Sequence, residues 1–342
     1  MKRAYIILVI CAVMANAVSL MGQTPQKHQV EVNKDVVFAS PEGFDLTMDI
    51  YTPQTGRNSY PVLIIIHGGG WLINDNSIMN QMSEYVSGNA EYVVANINYR
   101  LLGDQNNTVT INEIVEDVFG AVLWVKDHIE QYGGDPNRVA VTGDSAGGHL
   151  TEMVVLAGHN LKSSGFAQEP YGFNPSYLPA GKTAEQVAED EGLKVQAAIP
   201  SYGAFDMLAA AQGGFEKESN FFWQMGGAKA RGLFGNNFNV EDNATMYRAV
   251  SPIYLIPSAE EIQLPPQFFH VGSEDSTTPP VAVKAYFDKL KAQGQPGQFW
   301  LYQGRNHAYL DSGSNEFLGN SFEKDAIEPL NRMITFLNEV FY

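Results

Sequence analysis

Short, continuously apolar runs alternate along the chain with longer stretches whose apolar positions return every third or fourth residue. The runs at 61–66, 92–99, 139–142, 195–201, 267–272 and 298–303 read as strands buried on both faces. The stretches at 77–87, 112–132, 146–157, 279–293 and 323–340 read as helices. In the 112–132 stretch Ile114, Val118, Ala121, Val122, Val125 and Ile129 share one face. In the 146–157 stretch Leu150, Met153, Val154 and Ala157 do so. Strands and helices in this alternation predict an α/β fold with a mostly parallel, doubly wound sheet, whose ligands bind at the carboxyl ends of the strands.

The alternation breaks in three places. Residues 35–40 and 44–51 alternate apolar with polar across Pro41-Glu42-Gly43, the pattern of a β-hairpin at a sheet edge, and residues 18–33 read as a loose lead-in. Residues 159–193 carry Pro170, Gly172, Pro175, Pro179 and Gly181, and read as a long excursion. Residues 204–250 are glycine-rich and aromatic, and are expected to form a cap over the catalytic face, since long insertions in a compact domain are commonly functional.

Composition adds limits. A hydrophobic content of 44% in 342 residues supplies a large core, so 18–342 is expected to be a single domain. The net charge of −17 argues against nucleic acid or an anionic membrane surface as partner. Lys2-Arg3, an apolar run from Ala4 to Met14, and Ala15-Asn16-Ala17 have the layout of a secretory signal peptide at 1–17, with cleavage after Gly22 as the second choice. The single cysteine, Cys11, lies inside that segment, and bulky Ile10 before it argues against a lipid anchor. The mature chain then has no disulfide and no thiolate metal site, which fits bacterial export to the periplasm or beyond. No other run is long and apolar enough for stable membrane insertion.

The chemistry centres on Gly143-Asp144-Ser145-Ala146-Gly147-Gly148, between the Val139-Ala140-Val141-Thr142 strand and the 146–157 helix. Gly-x-Ser-x-Gly at a strand-to-helix junction is the spacing of a nucleophile elbow: the serine hydroxyl stands clear of a tight turn, and flanking glycines remove side chains that would collide. A serine hydroxyl needs a base, a group that holds the base, and donors for an oxyanion. His307 is the histidine that comes late, after the last strand and beside Gly304. His28 lies in the lead-in, His67 in a glycine motif and His270 inside a strand, while His128 and His159 come too early. His149, four residues past Ser145, is expected to pack or to bond backbone. Asp275 ends the preceding strand and is chosen as the acid, with adjacent Glu274 in reserve. The loop His67-Gly68-Gly69-Gly70, after the 61–66 strand, and Ala146 supply oxyanion N–H groups.

His67-Gly68-Gly69-Gly70-Trp71, Asn98-Tyr99-Arg100, Asp135-Pro136-Asn137-Arg138, Gly143 to Gly148, Asp275 and His307 together resemble an α/β-hydrolase of the hormone-sensitive-lipase-like carboxylesterase group. The layout is also similar to that of bacterial acetyl-xylan and feruloyl esterases. The resemblance spans about residues 40–340 and implies an oxyanion hole of Gly69, Gly70 and Ala146. The departures at 159–193 and 204–250 lie where substrate pockets are built, so substrate class does not carry over. Trp71, Tyr202, Phe221, Phe222 and Trp223 are candidates to line the pocket.

The expectation is an exported serine carboxylesterase acting through an acyl-enzyme on a small ester or an acylated carbohydrate, needing no metal or organic cofactor. Two other readings remain: a serine exopeptidase of the prolyl-oligopeptidase type, and a non-catalytic binding protein on a hydrolase scaffold.

Overall fold

The computed structural model describes residues 27–342. The signal peptide expected at 1–17 and its cleavage sites lie outside the described residues. Eight strands form one sheet: β1 (Gln29–Ala39), β2 (Leu46–Gln54), β3 (Tyr60–Ile66), β4 (Val93–Ile97), β5 (Gly134–Asp144), β6 (Ala197–Ser201), β7 (Phe268–Gly272) and β8 (Gln298–Tyr302). Their order is β1-β2-β4-β3-β5-β6-β7-β8. β1 with β2 and β2 with β4 run antiparallel, and every other neighbouring pair is parallel. This is the mostly parallel, doubly wound sheet that the alternation predicts.

The continuous apolar strands are explained by the two faces they feed. In β3, Val62, Ile64 and Ile66 join the core on one face, and Leu63 and Ile65 the core on the other. Helix Ile111–His128 packs on the first face, where Ile114, Val118, Ala121 and Val122 are wholly buried. A capping box starts it, with the Thr110 amide donating to Glu113 at 2.7 Å. Helices Asn80–Asn89, Pro280–Ala292 and Ile327–Phe341 pack on the second face through Met82, Val283, Leu290 and Leu337. Among the described residues no helix is long and apolar enough to cross a membrane.

Two elements differ from expectation. β1 starts at Gln29 inside the expected lead-in, as a largely exposed edge strand paired with β2. β5 reaches back through Asp135-Pro136 to Gly134, which pairs with Tyr60 across a register shift.

The excursion at 159–193 braces the outer side of helix Ile111–His128. The Ser176 amide donates to the Glu116 carbonyl at 3.0 Å, and Phe173 meets Phe119 edge to face at 5.4 Å. None of the contacts among the described residues joins it to Ser145, Asp275 or His307. The 204–250 segment contains helices Met207–Gln212, Phe221–Met225 and Ala244–Ala249. Buried Arg231 fastens it, donating to the carbonyls of Leu102, Asn107, Val109 and Gly232 at 2.5–2.9 Å.

The helix that starts behind Ser145, Ala146–Ala157, is joined to helix Pro280–Ala292 by a buried polar pair. The Tyr286 hydroxyl donates to Glu152 Oε2 at 2.5 Å, and Phe205 stacks on the tyrosine ring at 4.1 Å. Burial is the main cause that pushes the Glu152 carboxyl up to about 8 from its ordinary 4.5. The folded chain therefore holds a proton there that the unfolded chain releases. Its stabilising contribution is full below about pH 4.5 and is lost as pH rises through about 8. Glu152→Gln keeps an acceptor for Tyr286 and removes the titration. The melting temperature of the variant relative to wild type is expected to climb between pH 5 and pH 8.5. A pH-independent difference, measured by calorimetry, would contradict this account.

Candidate active site

β5 delivers its chain into Ser145, whose backbone sits at φ 52 and ψ −115. This left-handed region is costly for any residue with a Cβ, on the order of 1–3 kcal/mol. The surroundings hold it there. The Ser145 amide donates to the Ser201 carbonyl at the end of β6 at 3.0 Å. A Cβ on Gly143 would strike the Gly147 carbonyl, one on Gly147 the Ile66 carbonyl of β3, and one on Gly148 would come within 2.8 Å of Gly203 Cα. These glycines are needed for close packing of the turn against two neighbouring strand ends.

Ser145 Oγ lies 2.9 Å from His307 Nε2, and His307 Nδ1 lies 2.7 Å from Asp275 Oδ2. Asp275 Oδ1 accepts the amides of Thr277 and Thr278, each at 2.9 Å, which sets the carboxyl plane. The carboxylate accepts a hydrogen bond from Nδ1–H, so the Nε2 lone pair faces the serine hydroxyl. Ser145 and His307 are each 6% exposed. Glu274, the reserve acid, points to solvent. The three residues brought together are those chosen from sequence, and they come from the ends of β5, β7 and β8.

The loop after β3 is built as tightly. Gly68 N–H donates to Asp144 Oδ1 at 2.7 Å. The Tyr99 hydroxyl donates to the His67 carbonyl at 2.7 Å, and the two rings stack at 4.3 Å. Gly69 and Gly70 stand at φ 123 and φ 58, open to glycine alone at low cost. Their N–H groups have no acceptor among the described residues, and Ala146, as the first helical residue, has none within its helix. Asp144 is wholly buried, and that burial pushes its carboxyl up to about 7 against the opposing pull of His307 and the Gly68 amide.

The five candidate pocket aromatics divide. Phe222 lies on Gly70, its ring 2.7 Å from where a Cβ would stand, and Phe221, 51% exposed, packs on Phe222. Trp71 is buried and donates to His149 Nδ1 at 3.2 Å. Tyr202 and Trp223 are corrections: both are interior, with no face left for a substrate. Tyr202 packs edge to face on His307 at 4.9 Å, and the Trp223 indole donates to the Phe215 carbonyl at 2.8 Å.

Two groups near the site carried no sequence signal. Thr278 Oγ1 lies 3.1 Å from Asp275 Oδ2 and 3.2 Å from His307 Nδ1, and donates to the Tyr202 carbonyl at 2.8 Å. Ser201 Oγ lies 2.9 Å from His270 Nε2, a second serine–histidine pair. There the other ring nitrogen meets the Tyr309 hydroxyl at 2.6 Å instead of a carboxylate, and all three residues are fully buried.

The model of the BD-FAE family matches residues 48–290, most of the chain. The protein belongs to the BD-FAE family. Esterase LipQ of Mycobacterium tuberculosis is 27% identical over 278 residues, covering 79% of this chain and 55% of that protein. The probable isoprenylcysteine alpha-carbonyl methylesterase ICMEL1 of Arabidopsis thaliana is 25% identical and covers 77% of this chain and 48% of that one. This BD-FAE chain thus spans about half the length of the curated relatives it matches. The apo form of Thermogutta terrifontis esterase 2 superposes with a TM-score of 0.63 at 20% identity, over 93% of this chain and 97% of that one. The likeness gives the BD-FAE chain an α/β-hydrolase fold.

Asp144→Ala would leave the Gly68 N–H buried and unpaired, a cost of about 1–3 kcal/mol. Thermal unfolding should show that loss, and Asp144→Asn, which keeps an acceptor, should recover most of it. Equal melting temperatures for wild type and the alanine variant would rule out an organising role for the carboxyl.

Proposed function

We propose that the protein is a serine carboxylesterase in which Ser145 is the nucleophile, His307 the base and Asp275 the residue that orients it. The observation that carries this reading is the unbroken 2.9 Å and 2.7 Å chain from Ser145 Oγ through His307 to Asp275. Ser145 Oγ bonds to the ester carbonyl carbon while its proton passes to His307 Nε2. The oxyanion that forms takes N–H groups of Gly69, Gly70 and Ala146. Collapse breaks the bond to the alkoxy oxygen, which leaves with the proton from His307, and the acyl group stays on Ser145. Water then gives a proton to His307, attacks the acyl carbon, and releases the acid and the free serine.

For the substrate, acetyl or feruloyl groups carried by carbohydrate are favoured by membership of a family of bifunctional acetyl xylan and feruloyl esterases. Export is favoured by the segment from Lys2 to Ala17. An exported chain processed at the first-choice site begins at Val18, and the N-terminal mass of protein recovered from the bacterial periplasm or medium decides it.

The chemical reading is tested with p-nitrophenyl esters from acetate to decanoate and with acetylated and feruloylated xylo-oligosaccharides. Ser145→Ala should lose at least about 10⁴-fold in kcat. Equal rates for the two proteins would overturn the mechanism, and hydrolysis of the aryl esters without any release from the oligosaccharides would overturn the substrate class.

A further inference from the structure

Trp71 directly follows Gly70 and stands at φ 60. A bulky residue adopts that left-handed conformation only where its surroundings hold it. Its carbonyl accepts the Leu102 amide at 2.8 Å, and its ring meets Phe215 edge to face at 5.4 Å. Its indole Nε1–H points at Nδ1 of His149, 3.2 Å away.

That last contact has a required direction. His149 is wholly buried, and its Nε2 lies 2.8 Å from the Val250 carbonyl. A carbonyl only accepts, so Nε2 carries the ring proton and Nδ1 presents a lone pair. An indole N–H only donates, so the opposite tautomer would set two donors against each other at Nδ1 and two acceptors at Nε2. Burial keeps the ring neutral, with its pKa lowered to about 4. The residue's backbone is tied to the elbow as well, since the His149 amide donates to the Ser145 carbonyl at 3.2 Å. Val250 closes the 204–250 insertion. Next to it, Ser251 Oγ donates to the Tyr247 carbonyl at 2.6 Å and accepts the Met207 amide at 2.8 Å, which clips together the two ends of that insertion.

One imidazole therefore joins the loop carrying Gly69 and Gly70, the helix that begins at Ala146, and the base of the insertion. We propose that His149 is a positioning residue for the oxyanion loop: by accepting the Trp71 indole N–H it fixes the peptide planes that aim the Gly69 and Gly70 N–H groups, and it registers that loop against the base of the 204–250 insertion. The proposal rests on the reading of Ser145 as nucleophile and of Gly69, Gly70 and Ala146 as oxyanion donors. His149 acts through Trp71 and touches no reacting atom.

The test compares Trp71→Phe, His149→Leu and His149→Asn with wild type, active sites being counted by fluorophosphonate titration. Asparagine Oδ1 occupies the place of Nδ1 and keeps the acceptor; leucine does not. Two quantities are read: kcat and KM on p-nitrophenyl acetate, and inhibition by a methyl trifluoromethyl ketone. In that adduct the Ser145 Oγ–carbon bond forms, the carbonyl electron pair becomes the oxyanion, and the hydroxyl proton passes to His307 Nε2. Trp71→Phe and His149→Leu should lower kcat about 10- to 100-fold, with KM within about twofold. Ketone inhibition should weaken by the same factor, and His149→Asn should recover most of both losses. Equal slowing by leucine and asparagine, or a loss confined to KM with ketone inhibition unchanged, would overturn the proposal. A wild type that neither hydrolyses esters nor reacts with the fluorophosphonate would overturn the serine-esterase reading itself. An active wild type matched by His149→Leu would remove only the role given to His149.

Discussion

The conformation of Ser145 is the constraint on which the rest of the site depends. At φ 52 and ψ −115 the residue is stable only if its neighbours leave no alternative. Those neighbours are strand ends. The end of β6 accepts its amide, and the end of β3 lies so close that positions 143 and 147 exclude a Cβ. Close approach follows from register, with Ile66 opposite Gly143 and Ser201 opposite Asp144. A slip in either pairing would move the serine hydroxyl away from His307, which arrives from β8, two strands beyond β6. The cores on the two faces of the sheet therefore support the site indirectly: they set the register, and register sets the elbow.

Around that turn the polar groups are buried and fully directed. His149 is wired between a donor and an acceptor, so one tautomer satisfies it, and burial lowers the pKa of both His149 and His270. Asp144 is burdened by the same burial and relieved by one amide of the oxyanion loop. The contact between His307 and Asp275 is short, and Asp275 is doubly braced by the amides of Thr277 and Thr278.

Much of this was legible in the sequence where information is local. Helix Ala146–Ala157 has the bounds read from its glycine punctuation and apolar spacing, and Ser145, Asp275 and His307 follow from motif and chain order. Edges were less legible. β1 alternates polar and apolar residues from Gln29 to Asn33, but the stretch is short and its valines stay partly or largely exposed, so it passes for a polar lead-in, and Asp135-Pro136 reads as a helix stop although it lies within β5. Contacts between distant segments were not legible at all. An aromatic residue at a strand end or in an insertion gives no local sign of whether it faces a cleft or the interior, which is why Tyr202, just after β6, and Trp223 look like pocket residues and prove to be core. Thr278 and the Trp71–His149 pair are invisible for the same reason: each partner is an ordinary residue until the fold brings the other to it.

The insertion at 204–250 is tied to the loop that carries Gly69 and Gly70. It touches the oxyanion loop at two successive residues, with Phe222 on Gly70 and Phe215 on Trp71, and reaches it a third time through Val250 and His149. Arg231 pins the same segment to four backbone carbonyls, three of them in the 102–109 stretch, whose Leu102 amide also bonds the Trp71 carbonyl. A segment held this way cannot shift without pulling on the loop that carries Gly69 and Gly70. Under the proposed ester hydrolysis, substitutions that take the Phe222 ring off Gly70 act on the aim of the donors. β3 delivers that loop to the point where the elbow and the insertion meet, so one short loop takes contacts from both.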